Sequence, residues 1–312
     1  MTVLESEQDL KHTVVEGDGD LGDGDVEEVS EDHEKKPRRR IDLLVPGLII
    51  TVLGLSLILF VVYVFAFTNL KEARAQRQLL NVFTTPAGAV PLSGQLPPDG
   101  APAAILTIPS LDIKEVVVQG SSATQTALGP GLMTQAARPG TIGNAVILGR
   151  RTTSGAPFKN LSNLQKGQGF TIASGLGSFN YVVTRTGTVQ AGAQDPASPV
   201  NKAQVTLMTS SEPYGATGTT YVVARQTNTP GAAEKPKYQP ANYQRGLSGD
   251  PAAIPASIIL GVLYVLAIIA TVLAYRRYRH SIWTVYVLST PILLAIAFWW
   301  FQNLYLLLPA TT

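Results

Sequence analysis

Two adjacent arginines stand at the centre of "LGRRTTSGAPF", Leu148–Phe158. Glycines, a hydroxyl-rich turn and a proline near the exit give this stretch the make-up of an active-site loop. A guanidinium stays protonated at any biological pH, so neither Arg150 nor Arg151 can act as a general base. What the pair offers is a planar donor fork for carboxylate or phosphate. Two readings follow. Either the loop lines a groove that binds an anionic group without turning it over, or Arg150 fills space and pairs locally with an acid such as Glu212. Tyr214, in "SSEPYG" (210–215), is either a stacking wall opposite or an ordinary loop aromatic. The chain has no cysteine, which excludes a thiol nucleophile, a disulfide and cysteine-held metal. No metal or cofactor is expected. "DGDLGDGD" near the N-terminus lacks the twelve-residue loop and flanking helices of an EF-hand.

The elements that must position these residues begin with the membrane. Ile41–Phe67 is an apolar run with only Asp42 charged, at its edge. A bilayer core needs about 20 such residues as helix. Residues 253–275 and 281–308 supply two more runs, the last with Trp299, Trp300 and Tyr305 suited to an interface belt and Pro291 at a potential kink. Lysine and arginine favour the cytoplasmic side. "KKPRRR" before the first run and "RRYRH" (276–280) between the second and third therefore both lie inside. The expected topology is a multi-pass protein of the cell membrane with its N-terminus cytoplasmic and residues 68–252 outside. His12, His33 and His280 then all fall inside, away from the outer domain.

Charge is unevenly spread. The chain has 312 residues and a net charge of +2, yet residues 1–34 hold 13 of the 22 acidic groups. Residues 1–40 read as a disordered acidic tail ending in a basic juxtamembrane cluster. Residues 68–252 carry 15 basic against 8 acidic residues, a surplus of 7 that favours anionic wall polymers, lipid headgroups or acidic partners over nucleic acid. Residues 68–102 read as a helix (69–82) followed by a Pro/Gly stalk, and 227–252 as an extended linker. Gly261, Ala267 and Ala270 are small residues that would let another membrane protein approach the second span closely.

Between the linkers, 103–226 holds short β-branched runs separated by turn residues: "AAILTIPSL", "EVVVQG", "NAVILG" (144–149), "GFTIAS" (169–174), "FNYVVTRTGTVQ" (179–190), "QVTLMTS" (204–210) and "TTYVVARQ" (219–226). That spacing predicts an all-β barrel or sandwich, with one helical turn in "NLSNLQKGQ" (160–168).

This order of strands and turns resembles the sortases, the cell-envelope transpeptidases of Gram-positive bacteria. The most specific stretch is "PGTIGNAVILGRRTTSGAPFKNL" (139–161), similar to the actinobacterial class, which reads "PGxxGNxVxxGHRTTxGAPFxxL". "TIPSLDIKEVVVQG…LGPG" (107–131), "QVTLMTS" and "TTYVVAR" resemble further family segments in order. The implied fold is the eight-stranded sortase barrel. Sortases use a cysteine thiolate to attack a threonyl carbonyl, a histidine for proton handling and an arginine for the oxyanion. Matched by motif, the histidine position holds Arg150, the cysteine position Ser210 and the arginine position Thr220. The resemblance therefore implies a degenerate, catalytically inactive member, a pseudosortase, that binds through a groove formed by Arg150, Arg151, Thr152, Ser210, Ser211 and Tyr214. It would act as a scaffold, accessory subunit or binding module for envelope proteins or polymers. The rival is a transpeptidase or hydrolase using Ser210 with Lys159, Lys166 or Lys202, or with a base from a partner. Finally, "LPATT" (308–312) resembles the LPxT sorting pentapeptide. The apolar stretch and basic tail that a sorting signal needs do not follow, and the match is read as coincidence.

Overall fold

The computed structural model describes residues 41–84, 97–190, 193, 196–215, 217–230, 246, 248–277 and 282–312. The acidic tail, most of the stalk, most of the second linker, and the segment with His280 lie outside the described residues, as do His12 and His33.

Helix α1 (Ile41–Val62) passes through a π-turn (Tyr63–Phe67) into α2 (Thr68–Thr84), so the first span and the helix expected after it form one rod. At the junction the Thr68 hydroxyl donates back to the Val64 carbonyl. Helices α4 (Ala253–Arg277) and α5 (Ile282–Leu306) follow a one-turn α3 (Ala123–Thr126) and the barrel, with Pro291 inside α5. Among the described residues three helices are thus long and apolar enough to cross a membrane. They pack through aromatic rings: Phe60 lies 5.3 Å from Phe301 and Tyr63 5.6 Å from Phe298. Ser56 and Tyr264 share a hydroxyl hydrogen bond of 2.5 Å. Gly261 faces Trp300 of its own chain, so its smallness serves the α4–α5 contact. Ala267 and Ala270 line an apolar cleft of about 460 Å³ between the same two helices.

The strands close into a barrel in the order β1-β2-β3-β4-β7-β8-β6-β5. They are β1 (Pro102–Ile108), β2 (Ile113–Gln119), β3 (Gly131–Leu132), β4 (Gly143–Leu148), β5 (Gly169–Ser174), β6 (Gly177–Gln190), β7 (Ala203–Ser210) and β8 (Gly218–Gln226). Only the two-residue β3 was not anticipated; it is too short to show a period-2 pattern. The expected helical turn is a 3-10 turn at Leu161–Asn163. Alternation decides the two faces of the sheet. Leu106, Val117, Ile147, Ile172, Val205, Leu207, Val222 and Ala224 fill the interior. Val146, Leu148, Met208, Tyr221 and Val223 form a second cluster on the outer face of β4, β7 and β8. Each full burial of such a side chain is worth about 1.5–3 kcal/mol.

Helix α2 is stitched to the barrel wall. β3 pairs with β2 only at Val118 and Gln119, which leaves the outward N–H and C=O of Val116 without a strand neighbour. The Gln76 carboxamide takes that place. Its Nε2 donates to Val116 O (3.1 Å) and Leu128 O (2.8 Å), and its Oε1 accepts from Val116 N (2.7 Å). Beside it, burial and the neighbouring Glu115 carboxyl push the pKa of the Glu72 carboxyl up to about 8.

Candidate functional site

The loop after β4 owes its shape to two glycines. A Cβ on Gly149 would run into the Phe158 ring, which folds back over it, and Phe158 N donates to Arg150 O at 3.1 Å. Further on, Ser154, Gly155 and Ala156 all sit at positive φ (48°, 72° and 48°), a run that costs free energy for the two non-glycines. It persists because α2 and α5 hold it. Ser154 N donates to Thr68 Oγ1 (3.3 Å) and Gly155 N to Asn69 Oδ1 (2.9 Å). The Ser154 and Tyr305 hydroxyls lie 2.6 Å apart.

Arg150 is 0% exposed. Its Nη1 donates to Thr153 Oγ1 (3.2 Å) and to Pro309 O (3.5 Å), and its Nη2 to Ala123 O (3.0 Å). The guanidinium lies 4.6 Å over the Tyr305 ring. Burial pulls its pKa below the ordinary arginine value. The expected pairing with Glu212 does not form: that carboxylate accepts from Thr217 Oγ1 at 2.5 Å. Neutral carbonyls, a hydroxyl and a π-face meet this cation instead.

Arg151 is half-buried and spans two segments. Its Nη1 donates to Ser210 O (2.9 Å) and its amide to Thr311 O (3.1 Å). The Thr152 hydroxyl donates to Pro213 O. Ser210, 1% exposed at the end of β7, donates its hydroxyl to Gly215 O and accepts from Glu212 N at 3.3 Å. Ser211 N donates to Gly218 O at 3.0 Å. Among the described residues no base hydrogen-bonds the Ser210 hydroxyl, and Lys159, Lys166 and Lys202 are all exposed. Tyr214 does not wall the groove. It is 79% exposed and meets Phe65 edge-on at 6.1 Å.

Register places the remaining residue. Thr220 pairs with Thr209, and Thr219 with Ser210. Thr220 shares parity with Val222 and Ala224 and so faces the interior, while directly opposite residues of an antiparallel pair share a face. The neighbour across from Ser210 is therefore Thr219. Sequence reasoning also missed Thr153, Ser154, Tyr305 and the segment after α5, which together close over Arg150. Tyr305, expected in an interface belt, also lies against Arg150 and Ser154.

The closed eight-stranded barrel, with its site at the ends of β4 and β7, has the sortase-family fold. Residues 106–227 match the family model described as a sortase domain. Similar solved structures include a Clostridium perfringens sortase D5 transpeptidase at 19% identity and TM-score 0.45, covering 50% of this chain and 98% of that one. Sortase A of Corynebacterium diphtheriae aligns at 20% identity and TM-score 0.39, over 52% and 85% of the two chains. Sortase A of Listeria monocytogenes aligns at 21% and 0.37, over 41% and 89%. No curated protein matches the chain by sequence. Sortases are cell-wall transpeptidases; in this chain the stretch similar to their domain, residues 106–227, is joined to helices long and apolar enough to cross a membrane.

Proposed function

We propose that this chain is a catalytically silent sortase-type protein of a Gram-positive, actinobacterial envelope that acts by binding. It is a scaffold, accessory subunit or recognition module for envelope proteins or polymers. Three spans hold it in the plasma membrane, with the N-terminus cytoplasmic and the barrel outside. "KKPRRR" and "RRYRH" support that orientation.

One observation carries the reading. The chain has no thiol, and Ser210, at the position resembling the family's cysteine, spends its hydroxyl on Gly215 O with no base beside it among the described residues. A hydroxyl needs such a base to attack a carbonyl. Arg150, at the position resembling the family's histidine, is buried, with its Nη atoms donating to Thr153, Pro309 and Ala123. Thr220, at the position resembling the family's arginine, carries no charge for an oxyanion. The test uses the full chain in detergent micelles with a threonine-containing sorting-type peptide, followed by intact-mass spectrometry. No acyl adduct and no cleaved peptide are expected. An adduct on Ser210 that disappears in Ser210→Ala would sink the proposal.

A further inference from the structure

Helices α4 and α5 run antiparallel and meet unevenly. In the half of α4 nearer the barrel, the Trp300 ring lies against Gly261 and 5.6 Å from the Tyr264 ring, and closes the contact. Further along, α4 offers Ala267, Ala270 and Ala274 to Leu288, Ile292 and Leu293 of α5, and a cleft of about 460 Å³ remains between the two helices. The Thr271 hydroxyl on its wall is satisfied within α4, donating to Ala267 O at 2.8 Å. Leu288 and Ile292 are exposed, so the cleft opens sideways. It also has a charged end. Arg277 comes seven residues after Ala270 and three after Ala274, which puts it on the cleft's face of α4, with Arg276 beside it. Both arginines are exposed. The sequence from 251 to 312 contains no acidic residue, so neither helix nor their connection supplies a carboxylate to this pair. The first turn of α5, from Ile282, presents its amides at the same end, where the helix dipole favours an anion.

We propose that the α4–α5 cleft holds an acyl chain of an anionic phospholipid, whose phosphate sits with Arg276, Arg277 and the start of α5. Length, surface and charge each fit that occupant. Ala267 and Arg277 are ten residues apart, about 15 Å of helix, which is one leaflet's share of a hydrocarbon core ~30 Å thick. The alanines leave a strip of α4 without packing partners in α5, and a flexible chain restores the lost dispersion contacts. Basic residues at the end of an apolar cleft between membrane helices attract anionic headgroups. A guanidinium holds phosphate through two parallel N–H donors.

A helix of another membrane protein, which Ala267 and Ala270 would admit by their size, fits less well. It would need an acid at the level of the arginines as well as an apolar face, whereas a phospholipid brings chain and charge in one molecule. Occupancy by lipid requires α4 and α5 to span a bilayer. It is independent of whether the barrel is silent and of which side of the membrane the arginines face.

The test titrates the full chain in detergent micelles with dioleoylphosphatidylglycerol or dioleoylphosphatidylcholine, which carry the same chains on an anionic and a zwitterionic headgroup. Native mass spectrometry counts the lipids retained. The parent is expected to keep one phosphatidylglycerol at least tenfold more tightly than phosphatidylcholine. Ala270→Phe fills the cleft and should weaken both lipids at least fivefold. Arg276→Gln with Arg277→Gln should bring phosphatidylglycerol down to the level of phosphatidylcholine and leave the latter unchanged. If Ala270→Phe keeps the parent's thermal transition and the parent's lipid affinity, no chain occupies the cleft and the proposal falls. A phosphatidylglycerol preference that survives the double arginine replacement belongs to another basic cluster and overturns it too. So does a dimer that Ala270→Phe dissociates, since a second copy then fills the cleft. Should Ala270→Phe not fold, the double replacement, at two exposed positions, decides by itself.

Discussion

Replacing Arg150 probes the joint between barrel and membrane helices most directly. In Arg150→Ala, Ala123 O loses a charge-assisted donor at 3.0 Å, worth about 1.5–3 kcal/mol. The contact to Pro309 O, at 3.5 Å, is at the geometric limit and adds about 0.5 kcal/mol. The guanidinium over Tyr305 at 4.6 Å adds about 2 kcal/mol in this desolvated setting. Relief of burying a cation without a carboxylate offsets part of the sum. The net loss should be about 3 kcal/mol for Ala. Arg150→Met keeps the apolar stem and should lose less than half of that. All the tryptophans lie in α5, so their fluorescence reports that helix during urea unfolding in micelles, while amide exchange at Leu148–Phe158 reports the barrel loop. In Arg150→Ala both should shift together. A loss below about 0.5 kcal/mol, or a Met variant worse than the Ala variant, would refute the claim that this side chain knits the two parts.

Gln76→Leu removes both donated bonds and the accepted one at the edge of β2, a loss of about 2–3 kcal/mol, read as faster exchange of the Val116 amide. Gly155→Val forces a β-branched residue to φ 72° with its Cβ 2.5 Å from Glu72 Oε2, so α2 should lift from the loop at a cost of about 2–3 kcal/mol, visible as a new protease-sensitive site near 155. Burial pushes the Glu115 carboxyl from its ordinary 4.5 up to about 7, against the hydrogen bond with Glu72. A folded pKa raised above the unfolded one means stability that is fully present below 4.5 and lost as pH rises through 7. Solvent screening at this half-buried site holds the effect to about 1–2 kcal/mol. Glu115→Gln should therefore hold α2 more firmly than the parent at pH ~8 and equally at pH ~4, measured by urea unfolding at each pH.

The barrel was legible because its signals are local. "GFTIAS" coincides with β5, and the runs 204–210 and 219–226 each fall within a residue of β7 and β8. Alternation and turn residues set those limits within a few positions of each other. The three apolar helices were legible for the same reason: length and composition suffice. The site was legible only in part. Motif order singled out Arg150, Arg151 and Ser210, which the fold does bring together. Which threonine of β8 lies across from Ser210 was not legible, because neighbouring threonines look alike in sequence and only strand register puts Thr219 there.

What the sequence determined by itself was chemistry: no thiol anywhere, no imidazole between the first and second spans, two permanent cations in the loop. What only the tertiary structure decided was company. Arg150 meets carbonyls, a hydroxyl and the Tyr305 ring rather than Glu212, and Leu308–Thr312 lies in the groove rather than free. Those partners are separated from the loop by up to 160 positions along the chain. No local pattern encodes such distances; they follow from how α2 and α5 return to the barrel, and the burial they create gives an otherwise ordinary arginine its partners.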